Sequence, residues 1–188
     1  MPPDEVRKSA ADDRPAAHAE VSPAAADVPG ALDFPHFADT MSTLAATVCI
    51  ATAAAGDRRL GRTVTAVTSL SAQPPSLLVS ITRGSDLEKL IAETGRFSLN
   101  LLAEGQEAIG DAFAGRSPVA ERFSVGIWEK WASAQPRLAG AATNIDCRVA
   151  ACIEMDTHCL FVGVLVASEI SDRRPLLWYR RGYRTLSD

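Results

Sequence analysis

Glycine-rich phosphate loops are missing from this chain of 188 residues. No G-x-G-x-x-G opens a helix after a strand, and no G-x-x-x-x-G-K-[ST] occurs, which excludes a Rossmann dinucleotide unit and a P-loop. Histidine is scarce, with three copies. His18 lies in an N-terminal tail and His36 at the edge of the folded part, which leaves His158 alone in the domain. That scarcity argues against a metal site, and no Ser/His/Asp or Cys/His set reads as a nucleophile with its base. Cys49, Cys147, Cys152 and Cys159 form no C-x-x-C pair and no zinc spacing. Each sits in an apolar, strand-like run, which predicts small buried hydrophobes rather than a disulfide framework. No segment is apolar for long enough to span a membrane, and the basic start and apolar run of a signal peptide are absent. The expected location is therefore cytoplasmic, off the membrane.

Charge is unevenly placed. The net charge is −4. Residues 1–40 hold eight Asp/Glu and three Lys/Arg, for −5, and the remainder carries +1. Basic residues are scattered except near the C-terminus, so no nucleic-acid surface is expected. Residues 1–32 are rich in Ala, Pro, Asp and Glu without apolar periodicity, which predicts a disordered tail before one domain over 33–188.

What is present starts with TVTAVTSLSAQPP at residues 63–75. It carries the hydroxyls of Thr63, Thr65, Thr68, Ser69 and Ser71 among residues that favour extended backbone. Two prolines then end it. On its own the stretch reads first as an exposed, Thr/Ser-rich edge strand. The alternative is a strand whose small polar groups line a flat ligand. Next comes an apolar strand over 77–82, a turn at Thr82-Arg83-Gly84, and a capping box, Ser85-Asp86-Leu87-Glu88. A capping box is usually only a cap. Here it also sets a helix N-terminus, with its free N–H groups and dipole, close to the hydroxyl-rich strand.

The rest of the pattern gives a mainly β, α+β architecture. Short helices are expected at 37–44, 86–94 and 107–113. Strands are expected at 48–52, 60–67, 77–82, 97–102, 146–155 and 159–170, with shorter ones near 176–179 and 183–186. Gly56-Asp57 marks a hairpin turn, and Asp156-Thr157-His158 a second turn. Residues 117–135 read as a long irregular segment serving as a lid or an oligomer contact. Mostly antiparallel strands with a few peripheral helices imply a β-barrel.

The run from Gly61 to Pro75 resembles the flavin-contacting signature of the flavin reductase-like family, whose fold is the FMN-binding split barrel. Other landmarks follow in the family's order: FSLNLL at 97–102, Phe113-Ala114-Gly115, Arg122-Phe123 and Trp128, PRLAGA at 136–141, His158 before LFVG, and PLLWYRRGYR at 175–184. The similarity covers roughly residues 34–186. Thr47, Ala38, Thr65 and Thr157 depart from the family's usual glycine, arginine, asparagine or serine, and aspartate.

This resemblance implies an NAD(P)H:flavin oxidoreductase that passes hydride from NADH or NADPH to FAD or FMN and supplies a separate flavin-dependent oxygenase. The Ala- and Arg-rich composition favours FAD. It also implies a homodimer. Thr63, Val64, Thr65, Ala66, Val67, Ser69, Leu70 and Ser71 would line the flavin. Ser80, Ile81, Thr82, Arg83, Ser85 and Lys89 would hold phosphates. Asn100 either meets the phosphate side or ends a strand. Phe113, Ala114 and Arg116 would border the far end, and His158 and Tyr183 would position the nicotinamide nucleotide. His158, otherwise a solvated turn residue, is the candidate catalytic contact. Arg173, Arg174, Arg180, Arg181 and Arg184 form a solvated face or an inter-subunit contact, or, as the resemblance implies, meet a pyrophosphate. Two other readings stay open: a reductase with tightly held flavin acting on another acceptor, and a flavin carrier or sensor without turnover.

Overall fold

The computed structural model describes residues 17–20 and 30–187. In chain order the elements begin with β1 (Ala17–Glu20), α1 (Phe34–Met41), β2 (Ala46–Thr47), β3 (Cys49–Ala55), β4 (Arg58–Val64), β5 (Val67–Ala72) and β6 (Pro75–Thr82). Then come α2 (Asp86–Thr94), β7 (Arg96–Leu101), α3 (Glu107–Asp111), a π-turn (Ala112–Arg116) and a 3-10 turn (Val119–Ser124). The chain ends with β8 (Trp128–Lys130), β9 (Pro136–Leu138), β10 (Thr143–Glu154), β11 (His158–Ile170), β12 (Leu177–Tyr179) and β13 (Gly182–Arg184). The expected α+β content, strand-dominated and antiparallel, is what the chain adopts.

The main sheet runs β4-β3-β7-β10-β11-β6-β5. Its two ends are β4 and β5, yet only Thr65 and Ala66 separate them in sequence. A flat sheet of seven strands would hold its edges roughly 29 Å apart, at ~4.8 Å per spacing. The link can reach roughly 10 Å. The sheet must therefore curl until its edges meet. They meet without pairing: no ladder joins β4 to β5 or to β6 among the described residues. Instead the Ser80 amide donates to the Ala66 carbonyl at 3.1 Å. The result is a barrel split along one side, which the sequence read as one unbroken strand over 60–67.

Alternation fills the interior. Leu77, Val79 and Ile81 point inward from β6, where they meet Phe97, Leu99, Cys147 and Phe161. Helix α2 plugs one end with Leu87, Leu90 and Ile91, all buried. Ser85 caps it by accepting from the Glu88 amide at 3.2 Å, and Gly95, at φ 62°, ends it in a left-handed turn. A second core outside the barrel packs Ile50, Leu102, Phe113, Phe123, Leu138 and Leu176. All four cysteines are buried and free, as their strand-like runs indicated.

Within the expected tail, β1 forms a short strand parallel to Ala151–Glu154 of β10. Those four residues depart from a structureless tail, and the rest of 1–32, apart from 30–32, lies outside the described residues. The reason is an open edge: β7 covers β10 only over residues 143–148, and β1 pairs with what lies beyond. The irregular segment 117–135 holds the 3-10 turn and β8, and its Trp131 indole donates to Ser98 at 3.1 Å.

Candidate functional site

The split opens a cleft of about 460 Å³. One wall is β4 and its link, Leu60 to Ala66. The facing wall is Ser80, Ile81 and Thr82 of β6, with His158 beside Thr82 in the β11 register. Ser85, Asp86 and Leu87 at the start of α2 close one side, and Val119 and Arg122 of the 3-10 turn close another. Along β4 no strand among the described residues pairs on the side away from β3, and there the Gly61 carbonyl is taken by Arg122. A cleft of this volume, with an extended backbone edge, hydroxyls and cations, fits a planar heterocycle bearing an anionic tail.

The structure brings nine expected residues to the cleft: Thr63, Val64, Thr65, Ala66, Ser80, Ile81, Thr82, Ser85 and His158. Their roles differ in detail from a row of hydroxyls. Thr63 Oγ1 donates to the Gly110 carbonyl at 2.6 Å, so its hydroxyl ties the cleft wall to α3. Ser85 spends its hydroxyl on the α2 cap. The expected capping box forms only in half: Glu88 accepts from Gly84 N–H at 3.3 Å, one residue before the cap, while the Ser85 amide donates to the Thr82 carbonyl. That leaves the N–H groups of Asp86 and Leu87, in the first turn, beside the cleft. His158 is exposed, and its Nδ1 lies 2.9 Å from Thr157 Oγ1. The threonine thus serves where the family's aspartate usually stands, orienting the ring with a neutral partner.

The other expected residues lie elsewhere. Val67, Ser69, Leu70 and Ser71 belong to β5, beyond the link. Arg83 is ion-paired with Glu154 at 2.7 Å, and neither it nor Lys89 of α2 lines the cleft. Asn100 is fully buried. Its Nδ2 donates to Ile50 O at 3.1 Å and its Oδ1 accepts from Leu138 N at 2.9 Å, so it braces strands and does not face the cleft. Phe113 is an interior aromatic against Phe123 and Trp128. Ala114 is exposed on the π-turn, and Arg116 pairs with Asp111 at 2.7 Å. Tyr183 donates its hydroxyl to the other oxygen of Asp111 at 2.9 Å. Burial and that carboxylate push its phenol up to about 12.

Seven further cleft residues come from positions outside the expected set: Leu60, Gly61, Arg62, Asp86, Leu87, Val119 and Arg122. Gly61 is required there because a Cβ would stand 2.6 Å from Phe113. Arg122 is 8% exposed, and donates to the Gly61 carbonyl at 3.1 Å and the Ser117 carbonyl at 3.4 Å. Burial, and then the neighbouring Arg62, pull it below the ordinary guanidinium value. The sequence marked Arg122 only as a family landmark; its contact with Gly61, 61 residues away, is set by tertiary packing.

A split antiparallel barrel with a polar-walled cleft at its seam defines a class, and the sequence agrees with it. Residues 41–187 match the flavin reductase like domain, and the chain belongs to that family. It is 36% identical over 152 residues to the FMN reductase (NADH) RutF of Cronobacter sakazakii, covering 80% of this chain and 92% of that one. Among solved structures it is similar to BorF, the flavin reductase component of a bacterial two-component tryptophan halogenase. That likeness has a TM-score of 0.76 at 27% identity, over 83% of this chain and 99% of the other. A nitrilotriacetate monooxygenase component B homolog from Mycobacterium thermoresistibile is similar at TM-score 0.76 and 27% identity, over 81% and 86%.

Proposed function

We propose that this protein is an NADH:flavin oxidoreductase that releases reduced flavin to a separate oxygenase. The carrying observation is the cleft at the seam, in a chain whose curated relatives are NADH-dependent FMN reductases. Hydride transfer between nicotinamide and flavin is chemistry the two cofactors supply when bound. The protein's part is to bind and orient. The edge of β4 and its link that no strand covers, apart from the Gly61, Thr65 and Ala66 carbonyls already bonded, offers backbone groups to the rim of a planar ring. Thr63, tied to Gly110, fixes that wall at a set distance from β6. Ser80 and Thr82 present small side chains opposite, leaving room for stacked rings. His158, at the mouth, orients the nicotinamide nucleotide. FMN and FAD share the ring, the ribityl chain and the first phosphate, which are the parts the cleft accommodates.

The partner oxygenase follows from the two-component systems to which BorF and the monooxygenase component belong. A homodimer is supported by α1, which buries no residue and exposes Phe34 and Phe37.

NADH oxidation, followed by absorbance with purified protein and added FMN or FAD, tests the reading. Turnover that saturates with added flavin supports a diffusible-flavin reductase and ranks the two flavins. Flavin binding without turnover would instead leave a carrier.

A further inference from the structure

Beyond Arg148 the outer edge of β10 loses its barrel neighbour. β7 pairs with β10 only from Thr143 to Arg148, and the Val149 amide then donates to the Gly95 carbonyl at 2.9 Å. From there β10 runs on to the turn that carries Thr157 and His158. The inner flank of that turn is well held. β6 pairs with the start of β11, placing Thr82 against His158. The Arg83 amide donates to the Thr157 carbonyl at 3.0 Å, and its guanidinium pairs with Glu154 at 2.7 Å. On the outer flank the strand neighbour among the described residues is β1, with Ala17–Glu20 parallel to residues 151–154. An uncovered strand edge is a template for an extended segment. Here the chain's own N-terminal segment fills it. Glu154 is where the two flanks meet: it lies against Glu20 on one side and Cys159, next to His158, on the other. None of residues 153–158 is buried. The turn is therefore held by hydrogen bonds and an ion pair rather than by core packing, which makes it open to local loosening.

We propose that β1 is a strap: seated on the outer edge of β10, it steadies the turn bearing Thr157 and His158. The N-terminal segment is thereby a positioning element for the nicotinamide nucleotide. This rests on the reading of His158 as a contact for that nucleotide.

Proline at both His18 and Ala19, in the full chain, tests it. Successive residues of a strand turn their N–H groups to opposite edges, so one of the two prolines removes a donor facing β10. Neither position lines the cleft. In hydrogen exchange, amides within residues 151–154 are expected to lose about tenfold or more in protection. A turn left ordered about one time in three raises the KM for NADH about threefold. The FMN Kd and kcat stay within about twofold, because the ordered turn is unchanged when it forms and the ring-binding walls lie on β4 and β6. Unchanged exchange at 151–154 overturns the proposal, since β1 would then not be seated on β10. Faster exchange with an unchanged KM for NADH overturns it too: β1 would cover an edge without positioning the turn. Equal weakening of NADH and FMN also overturns it, because β1 would then hold the whole sheet. His158→Ala tests the reading beneath. An unchanged KM for NADH in that variant removes the role of His158 and the strap's role with it. A raised KM there, beside an unchanged KM in the proline variant, removes the strap alone. A wild type that oxidises no NADH overturns both.

Discussion

Asn100 satisfies a carbonyl of β3 and an amide of β9 with one buried amide side chain. Asn100→Ala strands both groups away from water. At about 1–3 kcal/mol for each buried unpaired group, it is expected to lower unfolding stability by roughly 2–6 kcal/mol. Urea unfolding measures that loss, while FMN affinity of the folded variant stays at the wild-type value. A selective loss of FMN affinity would return Asn100 to the phosphate. The residue shows why the sequence misleads at this scale. A polar side chain after alternating Phe97 and Leu99 reads as outward-facing. Asn100 is instead buried by β9, a strand too short to announce itself. Thr63 makes the same point. Its place in a flavin signature was legible, but its hydroxyl's partner, Gly110, is fixed only by tertiary packing.

Among the elements, the C-terminal hairpin of β12 and β13 is docked by Tyr183 on Asp111 and by Arg181 in its turn, which is ion-paired with Asp39. Tyr183 donates to Asp111, which Arg116 also holds. Its phenol is raised from the ordinary 10.0 to about 12, so the folded state keeps a proton that the unfolded chain gives up earlier. This contribution to stability is complete below pH about 10 and is lost as pH rises toward about 12. Tyr183→Phe should remove that alkaline dependence, leaving a flatter stability profile, as thermal unfolding at graded pH would show. A wild-type profile unaltered by the substitution would mean the contact does not hold the hairpin. Element positions were largely legible here. Apolar alternation marked β6, β7, β10 and β11, and Ser85 with Gly95 marked the ends of α2. The break between β4 and β5 was not legible. The β-branched run across it favours extended backbone on both sides, and only sheet closure decides where pairing stops.

For the whole molecule, exposed Phe34, Phe37, Met41 and Leu44 lie on or just after a helix with no buried residue. The homodimer proposed above would cover these large apolar side chains. Replacing Phe34 and Phe37 together with Asp is expected to shift sedimentation from dimer to monomer, with little loss of monomer stability. A wild type that sediments as a monomer at micromolar concentration would refute the dimer. The seam has a last consequence. Along it β4 keeps one edge without a strand partner, as if one strand had been left out of a hoop. A flat, polar-rimmed guest seated there takes the missing strand's place and bolts the hoop shut. The guest's affinity is then also a measure of how tightly the barrel is held together, and each release of product loosens the whole sheet by the same amount.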